Sequence, residues 1–374
     1  MSISRRISFF LSAMTAAVCC LVLVPLSGCS KKPVELAWVF TSGAPIYSTP
    51  AVTRDSIVFG NESGNLTVLD KKGEFQWNYN VSMNIISSPA VKNDMIFFGA
   101  VNYTFYALNM MGKEVWKFQA KKPIKSDPLV YEGIVYFTSY DGHVYALHAD
   151  NKKFAWAFPP LKVTEEGLIE GLPEQPASIG IFSYSSPAIS GGVLYVGNLD
   201  GYVYAIDIDS GILIWKFKTE DGVTSSPLVD SGVVYIGSND GNVYAIDAAK
   251  GTKIWSFKTG AWVNSSPKMN DGVLFIGSND KNFYALDPSN GMLKRKFQAK
   301  GPVIAFPAFY HNYVIVCGGQ DDGSIYVLDK NTFKPIFTYK TYGKIEADPV
   351  VDGNMLYVAS FDKQLYAFKL NAVK

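Results

Sequence analysis

The sequence predicts an all-β fold, an eight-bladed β-propeller of four-stranded antiparallel blades, closed by the N-terminal strand joining the last blade. Three observations predict it: a repeat of about 40 residues, four short strand-like segments in each repeat, and a fourth strand that is missing from the last copy. Repeats of this length are typical of propellers, because each copy builds one blade.

A proline preceded by small residues marks each repeat. It occurs eight times, at Pro50, Pro89, Pro128, Pro187, Pro227, Pro267, Pro307 and Pro349. The successive spacings are 39, 39, 59, 40, 40, 40 and 42 residues, so one repeat carries an insertion of about 20 residues. We expect the proline on the innermost strand of each blade, since an edge strand tolerates the missing N–H.

The copy at residues 223–257 has the clearest strands. Its strand-like segments are 223–229, 233–237, 242–247 and 253–257, separated by short segments that contain Gly232, Gly241 and Gly251. Glycine-containing turns of this kind connect antiparallel strands. Each repeat is therefore expected to form one four-stranded blade.

The fourth strand is marked by an aromatic residue, usually tryptophan. It is found at Trp77, Trp116, Trp156, Trp215, Trp255 and Phe337, with Arg295 at the corresponding place in the sixth copy. The eighth copy ends six residues after Phe368, which leaves no room for another turn and strand. Trp38 and Phe40 precede the first copy, so we expect the N-terminal strand to lie outside the strand around Tyr366. That pairing removes an open sheet edge.

Residues 1–28 have the pattern of a lipoprotein signal peptide. Arg5 and Arg6 precede an uncharged apolar segment that ends in Leu26-Ser27-Gly28-Cys29. This ending resembles the lipobox of bacterial lipoproteins, which implies that Cys29 is lipidated and that residues 29–33 form a tether. Ser30 favours an outer-membrane lipoprotein that faces the periplasm. The alternative is an uncleaved anchor, because the apolar segment is long enough to span a bilayer.

The predicted propeller spans residues 34–374, and its composition excludes several classes of protein. Lys plus Arg total 34 against 33 Asp plus Glu, so we expect no nucleic-acid partner. Cys317 is the single cysteine in this range, which excludes an intramolecular disulfide there. Its neighbours Val314, Ile315 and Val316 predict a packed thiol on a buried strand.

The segments AIDIDSGILIW at 205–215 and AIDAAKGTKIW at 245–255 share one spacing of Ala, Asp, Gly and Trp. This spacing resembles the tryptophan-docking motif of the PQQ-dehydrogenase-like, or quinoprotein-type, β-propeller repeats. In that family each indole stacks on a neighbouring blade and its N–H is held by hydrogen bonds. The resemblance covers nearly all of residues 34–370 and implies this structural role for Trp38, Trp77, Trp116, Trp156, Trp215 and Trp255.

That family contains quinone-dependent dehydrogenases and non-catalytic envelope lipoproteins, one of which is a subunit of the outer-membrane β-barrel assembly machine. A quinone enzyme needs Ca²⁺ ligands and a catalytic carboxylate, and many carry two adjacent cysteines. The adjacent pair in this sequence, Cys19-Cys20, lies in the signal peptide. We therefore expect no enzymatic activity, no catalytic residues, no metal site and no cofactor.

Two departures from the repeat suggest a binding surface. An insertion at 159–182 places Leu161, Leu168, Ile169 and Leu172 among glutamates, and Trp262 and Tyr342 lie in blade connections on the same predicted face. Apolar residues on exposed loops suggest a partner-binding surface. The alternatives are a loop folded onto its own propeller and aromatic residues that cap the blades.

Charged residues near the predicted axis suggest a second kind of site. Lys125, Asp127, Glu346 and Asp348 lie within three residues before a repeat proline. They indicate either a polar channel filled with water or a small-ligand site in the axial funnel.

Together these patterns predict a non-enzymatic envelope lipoprotein scaffold that binds protein partners through its loop face. The family resemblance implies outer-membrane β-barrel protein assembly as its most specific role, with the β-barrel assembly machinery as partner. One alternative is a PQQ-dependent dehydrogenase-like or small-ligand-binding propeller that uses the axial funnel. Another is a structural or adhesive surface propeller.

Overall fold

The computed structural model describes residues 32–161 and 185–371, and these form eight four-stranded antiparallel sheets. Blade one contains β2 Ala51–Val52, β3 Ser56–Gly60, β4 Asn65–Asp70 and β5 Phe75–Asn80; blade two β6 Ala90–Lys92, β7 Met95–Gly99, β8 Thr104–Asn109 and β9 Glu114–Gln119; blade three β10 Leu129–Tyr131, β11 Ile134–Thr138, β12 Val144–His148 and β13 Phe154–Phe158; blade four β14 Ala188–Ser190, β15 Val193–Gly197, β16 Tyr202–Asp207 and β17 Leu213–Lys218.

The second half of the ring repeats this pattern. Blade five contains β18 Leu228–Asp230, β19 Val233–Gly237, β20 Asn242–Asp247 and β21 Lys253–Lys258; blade six β22 Lys268–Asn270, β23 Val273–Gly277, β24 Asn282–Leu286 and β25 Leu293–Gln298; blade seven β26 Ala308–Tyr310, β27 Tyr313–Cys317, β28 Ser324–Asp329 and β29 Pro335–Lys340; blade eight β30 Val350–Asp352, β31 Met355–Ala359, β32 Gln364–Leu370 and β1 Val34–Thr41. The predicted all-β, eight-bladed fold is confirmed.

Blade eight takes its outermost strand from the start of the described chain. Its strand order is β1-β32-β31-β30, and β1 pairs antiparallel with β32 in seven residue pairs, including Val39 opposite Tyr366. A register shift between Leu36 and Trp38 marks a bulge. The predicted closure of the last blade by the N-terminal strand is therefore confirmed.

The innermost strand of blade five is shorter than the sequence predicts. In blade five it begins at Leu228, directly after Pro227, and not at residue 223. The repeat proline therefore precedes this strand, and the prediction that it lies on the strand is wrong. The proline has no N–H to donate to the sheet. Before it, hydrogen bonds to serine side chains take the place of the hydrogen bonds between strands. Ser225 Oγ accepts a hydrogen bond from Gly237 N at 3.1 Å, and Ser226 N donates to Ser266 Oγ of the next blade at 2.8 Å.

The hydrophobic core consists of clusters between adjacent blades. One cluster joins Tyr235 and Val243 of blade five to Leu274 and Ile276 of blade six, all buried. An equivalent cluster, which includes Phe59 and Tyr357, joins blade one to blade eight across the closure. Each blade can therefore bury its faces only between its two neighbours, so the ring has to close for every cluster to be complete.

Cys317, which the sequence predicts to be a packed thiol, is fully buried at the end of β27. Burial raises the pKa of this thiol well above its ordinary value, which disfavours the reactive thiolate. Within residues 32–161 and 185–371, no helix is long and apolar enough to cross a membrane.

Candidate functional site

Each tryptophan of the outer strands contacts the turn between the third and fourth strands of the next blade. Trp215 Nε1 donates a hydrogen bond to Ala248 O at 2.9 Å, and its ring lies against Gly251. Three further indole N–H groups donate to the equivalent carbonyls: Trp116 to Ala149, Trp156 to Ile208 and Trp255 to Pro288. Trp38 and Trp77 lie against Gly73 and Gly112 in the same way. The tryptophans thus link neighbouring blades.

An aspartate in the turn between the second and third strands organises the loop face. Tyr244 Oη donates a hydrogen bond to Asp240 Oδ2 at 2.7 Å, and Glu220 N of the preceding connection donates to the same oxygen at 3.0 Å. Burial alone would raise the pKa of the Asp240 carboxyl, but these hydrogen bonds hold it below its ordinary value. The same aspartate–tyrosine pair recurs with Asp141, Asp200, Asp280, Asp322 and Asp362.

Tyr342 and Trp262, two predicted partner-binding residues, are exposed on this loop face. Tyr342 N donates a hydrogen bond to Asp362 Oδ2 at 3.0 Å, yet its side chain is 97% exposed. Trp262 is 54% exposed, and its carbonyl accepts a hydrogen bond from Asn279 N at 2.9 Å. The backbone is fixed at both positions while the aromatic ring remains accessible. The two residues lie two blade connections apart.

The predicted insertion lies mostly outside the described residues, and so do three of its candidate binding residues, Leu168, Ile169 and Leu172. Leu161 is described, and it is partly buried against the core cluster between blades two and three. A cavity of about 460 Å³ lies next to it, between residues 154–161 and the turn Ser210–Leu213. Cys29, the predicted lipidation site, is also outside the described residues.

A concave site lies beside Tyr342. It has a volume of about 630 Å³ and lies between the turn 320–323 of blade seven and the connection 340–344 that leads to blade eight. Lys344 Nζ, at one end, is 4.1 Å from the Phe361 ring centroid and 2.7 Å from Glu346 Oε1. The site thus combines an exposed aromatic ring with carboxylates and amines.

A belt of hydrogen bonds surrounds the propeller axis. Except in blade six, the residue before the repeat proline donates its backbone N–H to the side chain of the equivalent residue in the next blade. Seven such bonds of 2.6–3.0 Å occur, from Thr49 to Ser88, Ser88 to Asp127, Asp127 to Ser186, Ser186 to Ser226, Ser226 to Ser266, Phe306 to Asp348 and Asp348 to Thr49. Phe306 has no acceptor in its side chain, so Ser266 N has no equivalent bond. We call this ring the axial belt.

The charged residues predicted near the axis are all engaged by neighbours. Lys125 Nζ lies 4.6 Å from the Tyr140 ring centroid, Glu346 pairs with Lys344, and Asp127 and Asp348 belong to the axial belt. In the described part of the chain, no three His, Cys, Asp or Glu side chains gather in a metal-binding arrangement. This donor set does not fit a quinone with its Ca²⁺ ion.

Two carboxylates in the axial belt have perturbed acidities. Burial, together with the nearby charge of Asp127, raises the pKa of Asp348 to about 7, against the opposing hydrogen bond from Phe306 N. Burial also raises the pKa of Asp127 to about 6. The folded state binds protons at these two carboxyl groups more tightly than the unfolded state does. The protonated carboxyl groups therefore make their full contribution to the free energy of unfolding below about pH 4, and this contribution is lost as the pH rises towards 7.

We expect Asp348→Ser to stabilise the protein at pH 8 and not at pH 5. Serine accepts the same belt hydrogen bond in four other blades, so Phe306 N keeps a partner while the buried charge is removed. A shift of about 3 pKa units corresponds to roughly 4 kcal/mol, of which roughly 2–3 kcal/mol falls between pH 5 and pH 8. Urea unfolding at both pH values measures the difference.

The reverse substitution serves as the control for Asp348→Ser. Ser226→Asp places a carboxylate at an equivalent position and should lower the free energy of unfolding at pH 8. Equal pH dependence of the free energy of unfolding in the wild type and both variants would contradict the assignment of the buried charge.

Sequence reasoning missed two parts of this site. The axial belt was not predicted, because serine before proline also fits an ordinary turn. Met83 and Tyr103, exposed on loops of the same face, were missed because single apolar residues in polar loops carry no repeat signal. The sequence signal for the belt is the position directly before each repeat proline, which a polar side chain occupies in seven of the eight repeats.

The repeats, the docked tryptophans and the closure define a PQQ-type β-propeller. The chain belongs to the family described as outer membrane protein assembly factor BamB, whose model matches residues 84–216, 174–300 and 294–372. No curated protein matches the sequence. The predicted resemblance to BamB and to PQQ-like propellers is confirmed.

Two solved structures illustrate the fold. BamB from Moraxella catarrhalis is similar with a TM-score of 0.73 at 15% identity, over 90% of this chain and 100% of that chain. The computationally designed protein Ika8 is similar with a TM-score of 0.73 at 16% identity, over 90% of this chain and 99% of that chain. A natural assembly factor and a designed protein share this architecture, so the fold alone does not define the function.

Proposed function

We propose that this chain is a non-enzymatic envelope lipoprotein scaffold that binds protein partners through its loop face, in outer-membrane β-barrel protein assembly. Membership of the BamB family is the observation that carries the proposal. The carboxylates and lysines near the axis are held by neighbouring residues of the propeller, which supports a structural role for them. The β-barrel assembly machinery is the partner that this proposal names.

The proposal includes a lipid anchor at Cys29. Residues 1–28 serve as the signal peptide, and residues 29–33 connect the acylated cysteine to β1. Two or three acyl chains hold a protein on a membrane far more firmly than one. The outer membrane, with the propeller in the periplasm, is the location that Ser30 supports.

Tyr342 is the strongest candidate for contact with a partner. The hydrogen bond from its N–H to Asp362 fixes the backbone, so little backbone entropy is lost when the ring is bound. A cavity of about 630 Å³ lies beside it and accommodates a side chain of the partner. Aromatic residues, tyrosine and tryptophan above all, are among those that contribute most of the binding energy at protein interfaces.

We expect Tyr342→Ala to reduce recovery of the β-barrel assembly machinery from solubilised envelopes at least tenfold. Loss of a central aromatic side chain from an interface costs about 2 kcal/mol or more, which corresponds to a factor of about 30. Trp262→Ala is expected to add to the loss. A variant with serine at Leu168, Ile169 and Leu172 tests the insertion in the same assay.

Tyr131→Ala provides the control, because Tyr131 is an exposed aromatic residue at the end of an inner strand, on the opposite face. Its recovery of partners should equal that of the wild type, with unchanged thermal unfolding for all variants. If the wild-type chain recovers no component of the assembly machinery, and a deletion strain keeps normal outer-membrane protein levels, the proposed role is wrong.

A further inference from the structure

The outer strands of the propeller differ in charge around the ring. The outer strands of blades four to seven, β17, β21, β25 and β29, carry seven lysines and one arginine and no acidic residue. The outer strands of blades eight and one, β1 and β5, carry one charged residue between them, Glu35. Lysine on an exposed edge strand prevents it from pairing with another sheet. The outer strands of blades eight and one lack this lysine, as does β13 of blade three.

Blades eight, one and two display exposed apolar side chains, as blades four to six also do at Ile212, Ile254 and Met292. They differ from blades four to six in basic residues, because their three outer strands carry a single lysine, Lys117 of β9. Leu36 and Val39 of β1, Phe75 of β5, Met111 before β9 and Val115 within it are all exposed, and we call these five residues the apolar rim. They lie on three consecutive blades, which the docked tryptophans join at this level. Trp38 contacts Gly73 of blade one, and Trp77 contacts Gly112 of blade two, beside Met111.

Several charged residues next to the apolar rim are paired, and the others, Lys72, Glu74 and Lys113, include both signs of charge. Lys71 Nζ lies 2.6 Å from Asp352 Oδ2, and Lys117 lies 3.3 Å from Glu114. Glu35 Oε1 accepts a hydrogen bond from Asn371 Nδ2 at 3.2 Å. This part of the surface is therefore close to neutral, which suits contact with an apolar or zwitterionic surface more than with a charged partner.

The position of the apolar rim relative to the anchor identifies the surface it contacts. β1 begins at Val34, five residues after Cys29. Five extended residues span at most about 18 Å, so an acyl chain on Cys29 holds β1 within that distance of the lipid headgroups. The same strand carries Leu36 and Val39. A tether this short at one edge of the ring brings that edge to the membrane before any other.

We propose that the apolar rim of blades eight, one and two rests on the membrane surface and orients the anchored propeller. This inference rests on the lipid anchor proposed above. The acyl chains supply most of the membrane affinity, and the rim determines which edge of the ring faces the lipid. The lysine-bearing outer strands of blades four to seven then face away from that contact.

Lipid quenching of single fluorescent labels tests the orientation. The full-length lipidated protein is reconstituted at low density in phosphatidylcholine and phosphatidylethanolamine vesicles that contain brominated lipid. Val115→Cys and Phe75→Cys carry the label on the rim, and Ile214→Cys and Ile254→Cys carry it on the opposite outer strands. Val115, Ile214 and Ile254 are matched, since each directly precedes its aromatic marker and is 47–48% exposed. Buried Cys317 remains unlabelled.

Labels on the apolar rim should be quenched at least threefold more strongly than the labels at Ile214 and Ile254. Equal quenching at all four positions, or stronger quenching on blades four and five, overturns the inference. If the rim contacts a second copy or a protein partner, its labels are not quenched, because only the lipid carries bromine. That result overturns the inference as well.

A second preparation separates this inference from the lipoprotein proposal. Residues 1–29 are replaced by a hexahistidine tag, which a nickel-chelating lipid binds, so the chain is attached at the same place without acylation. The same quenching pattern is expected. If only the natural chain fails to associate with vesicles, the lipid anchor is wrong, while the tagged chain still decides whether the rim faces the lipid.

Discussion

Replacing Gly251 with alanine should lower the free energy of unfolding by roughly 2–5 kcal/mol. Gly251 has a φ of +66°, and a left-handed conformation costs an L-residue about 1–2 kcal/mol. A Cβ atom at this position would lie 2.6 Å from Cδ2 of Trp215, and overpacking of this kind costs about 1–3 kcal/mol. Urea unfolding of the purified propeller measures the sum.

Gly232→Ala is the matched control. Gly232 has a φ of +78°, but a Cβ atom there would meet no heavy atom within 4 Å. It therefore reports the backbone cost alone, and the difference between the two variants gives the cost of displacing the indole. In a Trp215→Ala background that difference should vanish. Equal losses for Gly232→Ala and Gly251→Ala would mean that indole docking contributes nothing to stability.

Deleting residues 34–41 should destabilise the whole propeller by roughly 5 kcal/mol, which lowers the melting temperature by about 10 °C. The deletion removes buried Val34 and half-buried Trp38 and Phe40, and burying a large apolar side chain contributes about 1.5–3 kcal/mol. It also leaves β32 as an open edge, which favours aggregation.

Deletion of residues 30 and 31, which precede β1, is the control and should leave the melting temperature unchanged. Circular dichroism follows unfolding, and hydrogen exchange follows the amides of β32, whose seven residue pairs with β1 would be lost. An unchanged melting temperature together with protected β32 amides would show that the N-terminal strand does not stabilise the ring.

Much of the fold could be predicted because each blade repeats one local pattern. In blade five the second and third strands were predicted with the bounds the structure has, and the fourth ends one residue later, at Lys258. The innermost strand was predicted too long, since a run of β-branched and small residues before Pro227 resembles a strand. Its hydrogen bonds go to serine side chains, which a strand pattern cannot reveal.

The candidate site was less predictable than the fold. The sequence singled out Tyr342 and Trp262 because they depart from the repeat, and the structure places both on the loop face with exposed rings. The axial belt depends on contacts between residues of neighbouring blades, about 40 or more positions apart, which exist only when the blades are packed side by side. The raised pKa of Asp348 follows from that same burial, so the residue type alone gave no indication of it.

The pairing of β1 with β32 also determines how the propeller responds to mechanical load. Any pull transmitted from the residues before Pro33 enters the domain at Val34, opposite Leu370. A pull along the axis of β1 loads all seven residue pairs in shear at the same time, whereas a pull across it opens them one by one from Val34. Resistance to extraction therefore depends on direction, and the strand that completes the last blade is also the part of the ring that bears the force.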